Sequence, residues 1–214
     1  MNAPDENPVD PANVQQETGE QLSIPLRARR STLQGPTSAI AAISWLRDLT
    51  VSVLIAVVVI LFLYQPVRVE GTSMMPALVD QERIFINKFV YRFEPIGRGD
   101  VVVFWYPLDR SKSFIKRVVG LPGDTVEIRE GQVYLNGVLL QEPYIPPESD
   151  DFGTYSPTHV PKGEYFVMGD HRTSSNDSRI FGPVPRKFIY GKAVFAYWPV
   201  DHFGSIPVFA ESVK

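Results

Sequence analysis

Two short stretches of the chain carry side chains able to do covalent chemistry. In VEGTSMMPAL (69–78) a serine, Ser73, stands between Thr72 and two methionines, and in FIKRVV (114–119) a lysine, Lys116, interrupts an apolar run. A serine hydroxyl becomes a nucleophile only beside a base, most often a histidine. The three histidines, His159, His171 and His202, show no HExxH or related spacing, which argues against a catalytic metal. Cysteine is absent, which excludes disulfides, thiolate metal sites and cysteine nucleophiles and leaves the redox compartment open. Lysine is the base that remains, and a Ser–Lys pair is a known variant of triad chemistry.

On a strand, successive side chains alternate faces, so Phe114, Lys116 and Val118 share one face while Ile115, Arg117 and Val119 share the other. If the first face is buried, desolvation disfavours the ammonium and lowers its pKa from about 10.4, by as much as 3–5 units. A value near 7 or 8 makes a competent general base at neutral pH. Each residue also has a plain reading. Ser73 suits an ordinary turn, and Lys116 suits a sheet edge with its stem on apolar surface and its head in water.

The elements that must position this pair are legible along the chain. Net charge is −3, so no basic surface for nucleic acid is expected. Residues 1–44 read as a cytoplasmic tail; 1–36 are polar, Pro-bearing and free of aromatics, a composition that does not order itself. The apolar run LTVSVLIAVVVILFLY (49–64), about 24 Å as helix against roughly 30 Å of hydrocarbon, predicts a membrane anchor over 45–66, with Trp45 and Tyr64 at the interfaces. A buried core helix and a cleavable signal peptide are the competing readings; the second lacks a small-x-small site after the run. Arg27, Arg29, Arg30 and Arg47 precede the run and Arg68 alone follows closely, which favours a cytoplasmic N-terminus.

The remainder, 67–214, would then be an extracytoplasmic, β-rich catalytic domain. Strands are expected at 83–88, 100–106, 113–120, 164–170 and 192–198, with LPGD (121–124) as a turn. QVYLNGVLL (132–140) carries an Asn-Gly pair between apolar runs, a strong hairpin signal. The Pro-rich stretch 142–161 reads as irregular, so about 127–161 forms a hairpin and irregular insertion. The fold class is therefore mainly β, a folded sheet or barrel with a hairpin extension behind one N-terminal transmembrane helix.

Four stretches together, GTSMMPAL (71–78), RGDVVVF (98–104), FIKRVVGLPGD (114–124) and MGDHRTSSNDSRIFGPVP (168–185), give a sequence that resembles the type I signal peptidases, membrane-anchored Ser–Lys proteases. The resemblance covers about residues 45–200. It implies that Ser73 is the nucleophile and Lys116 the general base. It further implies that the Ser175 hydroxyl orients the lysine ammonium, and that Asp177, Arg179 and Asp170 hold the last motif beside the site. Val67, Val69, Met74, Leu78, Phe114 and Ile115 match substrate-pocket positions, where shallow apolar pockets would select small residues before the cut. An extended substrate would add as a strand beside Val67–Glu70 or the Lys116 strand. Implied partners are exported preproteins, the lipid bilayer of the cell membrane and the export translocon, with no cofactor and no metal.

Gly71 departs from the serine found in many relatives two positions before the nucleophile, whose hydroxyl assists the oxyanion; Ser73 N–H would then need another donor. His171, Thr173, Ser174 and Ala77 also differ from the common pattern. Three other readings stay open: a repressor-type self-cleaving Ser–Lys protease, a membrane-anchored β domain that binds peptide without catalysis, and a Ser–His–Asp site through His171.

Overall fold

The computed structural model describes residues 38–149 and 151–209, and for 38–40 the backbone alone. The expected tail therefore lies outside the described residues up to 37. Helix α1 spans Ser38–Leu63, starting inside the stretch read as tail and stopping before the expected anchor end. It stops where it must, because Pro66 pushes Gln65 out of the helical region. By its contacts the chain divides within this helix, after Arg47, and every strand belongs to the second unit.

That helix is longer than the apolar run alone suggests. Ala41–Leu63 is 23 residues with a mean hydropathy of 2.5 in its richest window, and none of that window is buried. At 1.5 Å per residue this spans roughly 34 Å, enough for the hydrocarbon layer. Its exposed side chains include Leu54, Ile55, Leu61 and Phe62, so this is not the buried core helix weighed above.

Beyond α1 come β1 (Tyr64–Arg68), β2 (Arg83–Asn87), β3 (Val101–Tyr106), β4 (Asp109–Gly120), β5 (Thr125–Arg129), β6 (Gln132–Leu135), β7 (Val138–Leu139), β8 (Tyr155–His159), β9 (Glu164–Met168), the short α2 (Ser178–Phe181), β10 (Val184–Pro185), β11 (Ile189–Trp198) and β12 (Gly204–Ser205). The mainly β expectation is borne out. Among the described residues, the larger sheet is ordered β1-β2-β11-β3-β4-β9-β10, with β12 beside β11. Its strands pair antiparallel throughout. Pro66 falls on β1, the edge strand, where its missing N–H leaves no ladder bond unmade.

The smaller sheet is ordered β7-β6-β5-β8. Asn136 and Gly137 both take positive φ and close the β6–β7 hairpin with Leu135 opposite Val138, as the Asn-Gly pair predicts. The stretch read as irregular holds a strand that sequence reasoning missed, since β8 pairs with β5. Its sequence, YSPTH, carries a proline and little apolar patterning, so only its partner reveals it.

Long strand β4 positions the site. Its residues up to Arg117 pair with β3, and Arg117, Val118 and Gly120 pair with β9. The second edge of β4 before Arg117 and the outer edge of β1 are thus free of strand partners among the described residues. The sheet curls, because β1 and β4 line one cleft although β2, β11 and β3 lie between them in pairing order.

Candidate active site

Ser73 sits in a tight turn after β1, braced by Leu78 N–H donating to Met74 O (2.9 Å) and Met75 N–H donating to Thr72 O (3.0 Å). Met74 and Leu78, 1% and 0% exposed, drive that turn into a core cluster with Val69, Ile84 and Val101. Burying two such side chains stabilises the turn by about 1.5–3 kcal/mol each, enough to hold a serine at a fixed place on the surface above them. His171 N–H, arriving from the loop after β9, donates to Ser73 O at 3.1 Å.

Lys116 comes to this serine from the other side. Its strand alternates as expected: Phe114 and Val118 belong to one cluster, with Lys116 Nζ 5.3 Å from the Phe114 ring centroid, while Ile115 packs against another, with Val69, Met74 and Leu78. The side chain is buried, 4% exposed. Nζ donates to Ser73 Oγ at 2.7 Å and to Ile115 O at 3.0 Å. Burial depresses the ammonium to about 8, against the opposing pull of Asp177 and Asp170, and Arg179 adds to the depression. Once neutral, the amine can accept the serine proton across the same short contact. Lys116 is therefore not the edge lysine with a wet head.

The implied supporting residues divide into two buried ion pairs. Asp177 caps α2, accepts from Gly169 N–H at 3.0 Å, and takes Arg179 Nε and Nη2 at 2.9 and 2.8 Å. Burial alone would raise this carboxyl; the Arg179 hydrogen bonds and charge outweigh that and hold it below the usual carboxylate range. Arg179 also ties down Asp151 and Arg172 O. Asp170 grips Arg117 with two hydrogen bonds, 2.9 and 2.6 Å, both side chains being buried. Ser175 Oγ is buried, forms no hydrogen bond with Lys116, and is near enough to Asp177 to help hold that carboxyl down. His171 Nδ1 is likewise buried without a partner, and no hydrogen bond joins its ring to Ser73 Oγ among the described residues.

Gly169 is where these parts touch. A Cβ there would lie 2.2 Å from Ser175 Oγ and 2.4 Å from Ser73 O, contacts that real atoms do not tolerate. Gly169→Ala should therefore push the Ser73 turn away from Lys116 and reduce kcat by on the order of 10²-fold, since misplacement by about 1 Å has that cost. Stopped assays at matched folded concentration would check this; an unchanged kcat would refute it.

A cleft of about 760 Å³ opens beside the pair. Of the expected pocket residues, Val67, Val69, Phe114 and Ile115 line it, while Met74 and Leu78 lie beneath in the core. Sequence reasoning missed Ile84, Ile86, Val103 and Tyr190, which also line it. The alternation of Arg83-Ile84-Phe85-Ile86 marks two of them as inward-facing, but not as cleft walls. Gly71 has φ +93°, a conformation that resists a side chain, and its N–H donates to Asp80 Oδ1 at 2.7 Å. The Ser73 N–H has no acceptor among the described residues and is free for an oxyanion.

The signal peptidase family model (signal peptidase, peptidase S26) matches residues 42–198. The chain belongs to this family. A signal peptidase I from Bacillus licheniformis is 37% identical over 166 residues, covering 73% of this chain and 89% of its own length. A probable signal peptidase I-1 from Synechocystis sp. is 38% identical over 170 residues, 75% of this chain and 85% of its own. A crystal structure of a signal peptidase I from Enterococcus faecalis V583 matches at 33% identity over 46% of this chain and 97% of that one, with a TM-score of 0.41. Membership makes this peptidase a serine endopeptidase, and a peptide-binding domain without catalysis is set aside.

Proposed function

We propose that this peptidase, anchored by α1 in the cell membrane, removes N-terminal signal peptides from exported preproteins by cutting after small residues, with Ser73 as nucleophile and Lys116 as general base. The observation that carries the reading is the 2.7 Å contact between the two side chains with the lysine buried. In the neutral state Lys116 takes the proton as Ser73 Oγ attacks the scissile carbonyl, and the new oxyanion lies against Ser73 N–H. Lys116 then returns a proton to the leaving amine, and water attacks the acyl-serine by the same route in reverse. Ser175, whose hydroxyl is buried beside Asp177, serves to steady the ammonium when it forms. Asp177, Arg179 and Asp170 keep the loop carrying Ser175 in place.

Substrate geometry follows from the two free strand edges. β1 and β4 both run toward the dyad, and the cleft extends from Ser73 back past Ile86 and Ser111, toward the end of α1. A peptide leaving the bilayer beside α1 lies parallel to β1 and presents alternate side chains to walls made of Val67, Val69, Ile84 and Ile115. β-Branched walls over a filled core leave room for small side chains and clash with larger ones. The helix argues against the repressor-type reading. An N-terminus in the cytoplasm and a catalytic domain outside accord with the arginines before the span, and the translocon would deliver substrates to that side.

The test uses the full chain in lipid vesicles with a preprotein bearing alanines before the cut. Only the unprotonated amine reacts, so with Lys116 at about 8 the rate should rise up to about tenfold between about pH 7 and 9 and then level off. Ser73→Ala should leave the preprotein uncut. Undiminished processing by that variant, or a rate still climbing at the slope of an ordinary lysine, would overturn the proposal.

A further inference from the structure

The segment after β12 touches both halves of the dyad's support. Ile206, 5% exposed, lies in the same core cluster as Val69, Met74 and Leu78, which carry the Ser73 turn, and its N–H donates to Val194 O at 3.1 Å. One residue on, Pro207 O accepts from Arg117 Nη1 at 2.9 Å; the same nitrogen donates to Gly99 O at 2.9 Å. Phe209 stacks on Tyr144 with centroids 4.6 Å apart, and the Arg117 guanidinium carbon lies 4.5 and 5.2 Å from the Tyr144 and Phe209 ring centroids. Its backbone is seated directly on Gly99, where a Cβ would come within 2.2 Å of Phe209 O.

Arg117 is the residue after Lys116, so whatever fixes Arg117 fixes the strand register that aims the base. Asp170 holds one side of that guanidinium and the carbonyls of Gly99 and Pro207 hold the other. The described part of the segment is four residues long, yet it packs under the nucleophile turn through one side chain and clasps the base strand through one carbonyl.

We propose that Ile206–Phe209 is a C-terminal clasp that positions the catalytic pair, with Ile206 and Phe209 as positioning residues. The inference rests on Ser73 and Lys116 being nucleophile and base. Its physical content is that the clasp keeps β4 and the Ser73 turn in one rigid arrangement, in which Lys116 stays dry and in contact with the hydroxyl. The charged groups acting on the amine are Asp177 and Asp170, which favour its protonated form, and Arg179, which opposes it; of these, Asp170 is held by Arg117, the residue that the clasp touches.

The experiment measures pH–rate profiles of the full chain and of Phe209→Ala and Ile206→Val, with circular dichroism to establish folding and Ser73→Ala as the inactive reference. Loosening the clasp admits water to the amine and restores its charge. For Phe209→Ala the rising limb should move up by about one pH unit, so that kcat falls about tenfold near neutral pH and recovers in alkali, with KM within about twofold. Ile206→Val, which removes one methylene from a filled cluster, keeps the fold and should show the same displacement to a smaller extent. Profiles that superimpose on that of the unaltered chain, with or without a lower Tm, would overturn the clasp while leaving the dyad standing. Cleavage by Ser73→Ala would instead remove the dyad itself.

Discussion

Replacing Lys116 with methionine should reduce kcat/KM for a preprotein by roughly 10⁴-fold or more, and Ser73→Ala should do the same, with the double variant no worse than either alone. Methionine fills nearly the same volume and removes an amine whose burial depresses it to about 8, so the fold should be kept or made more stable. Lys116→Arg should be equally inactive despite keeping the charge, because a guanidinium does not give up its proton at these pH values. Single-turnover cleavage alongside thermal melts separates loss of chemistry from loss of fold. Residual activity near the level of the unaltered chain in Lys116→Met would mean that another group is the base. His171 is the natural suspect in that case, because its ring nitrogen Nδ1 is buried close to the turn without a partner.

Asp170→Ala should cost about 3–5 kcal/mol of folding stability, the usual penalty for leaving a buried charge without its counter-ion. Arg117 is 0% exposed and spends two of its hydrogen bonds on this carboxylate, at 2.9 and 2.6 Å. Its remaining partners are the carbonyls of Gly99 and Pro207, which carry only partial charge. The double variant Asp170→Leu with Arg117→Met should recover most of that loss, since replacing a whole buried pair by apolar groups is often neutral or stabilising. Urea unfolding of the parent, Asp170→Leu, Arg117→Met and the double variant closes the cycle. A single variant as stable as the parent would show that water or another group already compensates Arg117.

The two ion pairs differ in what they hold. Arg117–Asp170 joins β4 to the loop after β9, so it bears on the base strand. Arg179–Asp177 closes the loop on itself and reaches Asp151 and Arg172 O, so it bears on the position of Ser175. Arg172 adds a third link by pairing with Glu142 at 3.0 and 2.6 Å and donating to Gly169 O. Sequence reasoning passed over Arg172 because an arginine in a polar loop looks solvated until its burial is known.

How much was legible in advance depends on the range of the signal. Alternation along FIKRVV placed Lys116 on the face of Phe114 and Val118 from local geometry alone, and Asn136-Gly137 announced its hairpin because only such residues accept positive φ at both positions. The apolar run foretold the helix, but its end at Leu63, just before β1, falls short of the expected Pro66. A strand such as β8, held by its partner rather than by its own pattern, left no local trace. The start of α1 lies upstream of the expected anchor, because the helix continues through the mostly apolar lead-in SAIAAIS, which reads as part of the tail.

By itself, then, the sequence determined the mainly β class, the hairpin at Asn136-Gly137, the face that Lys116 shares with Phe114 and Val118, and through its motifs the family. Only the tertiary structure decided that positions 73 and 116 meet at 2.7 Å, that the amine between them is dry, that Met74 and Leu78 are floor rather than wall, and that the chain's last described residues brace both sides. The reason is that periodicity and turn chemistry act within a few residues, whereas desolvation and contact depend on how the sheet curls to bring distant strands together.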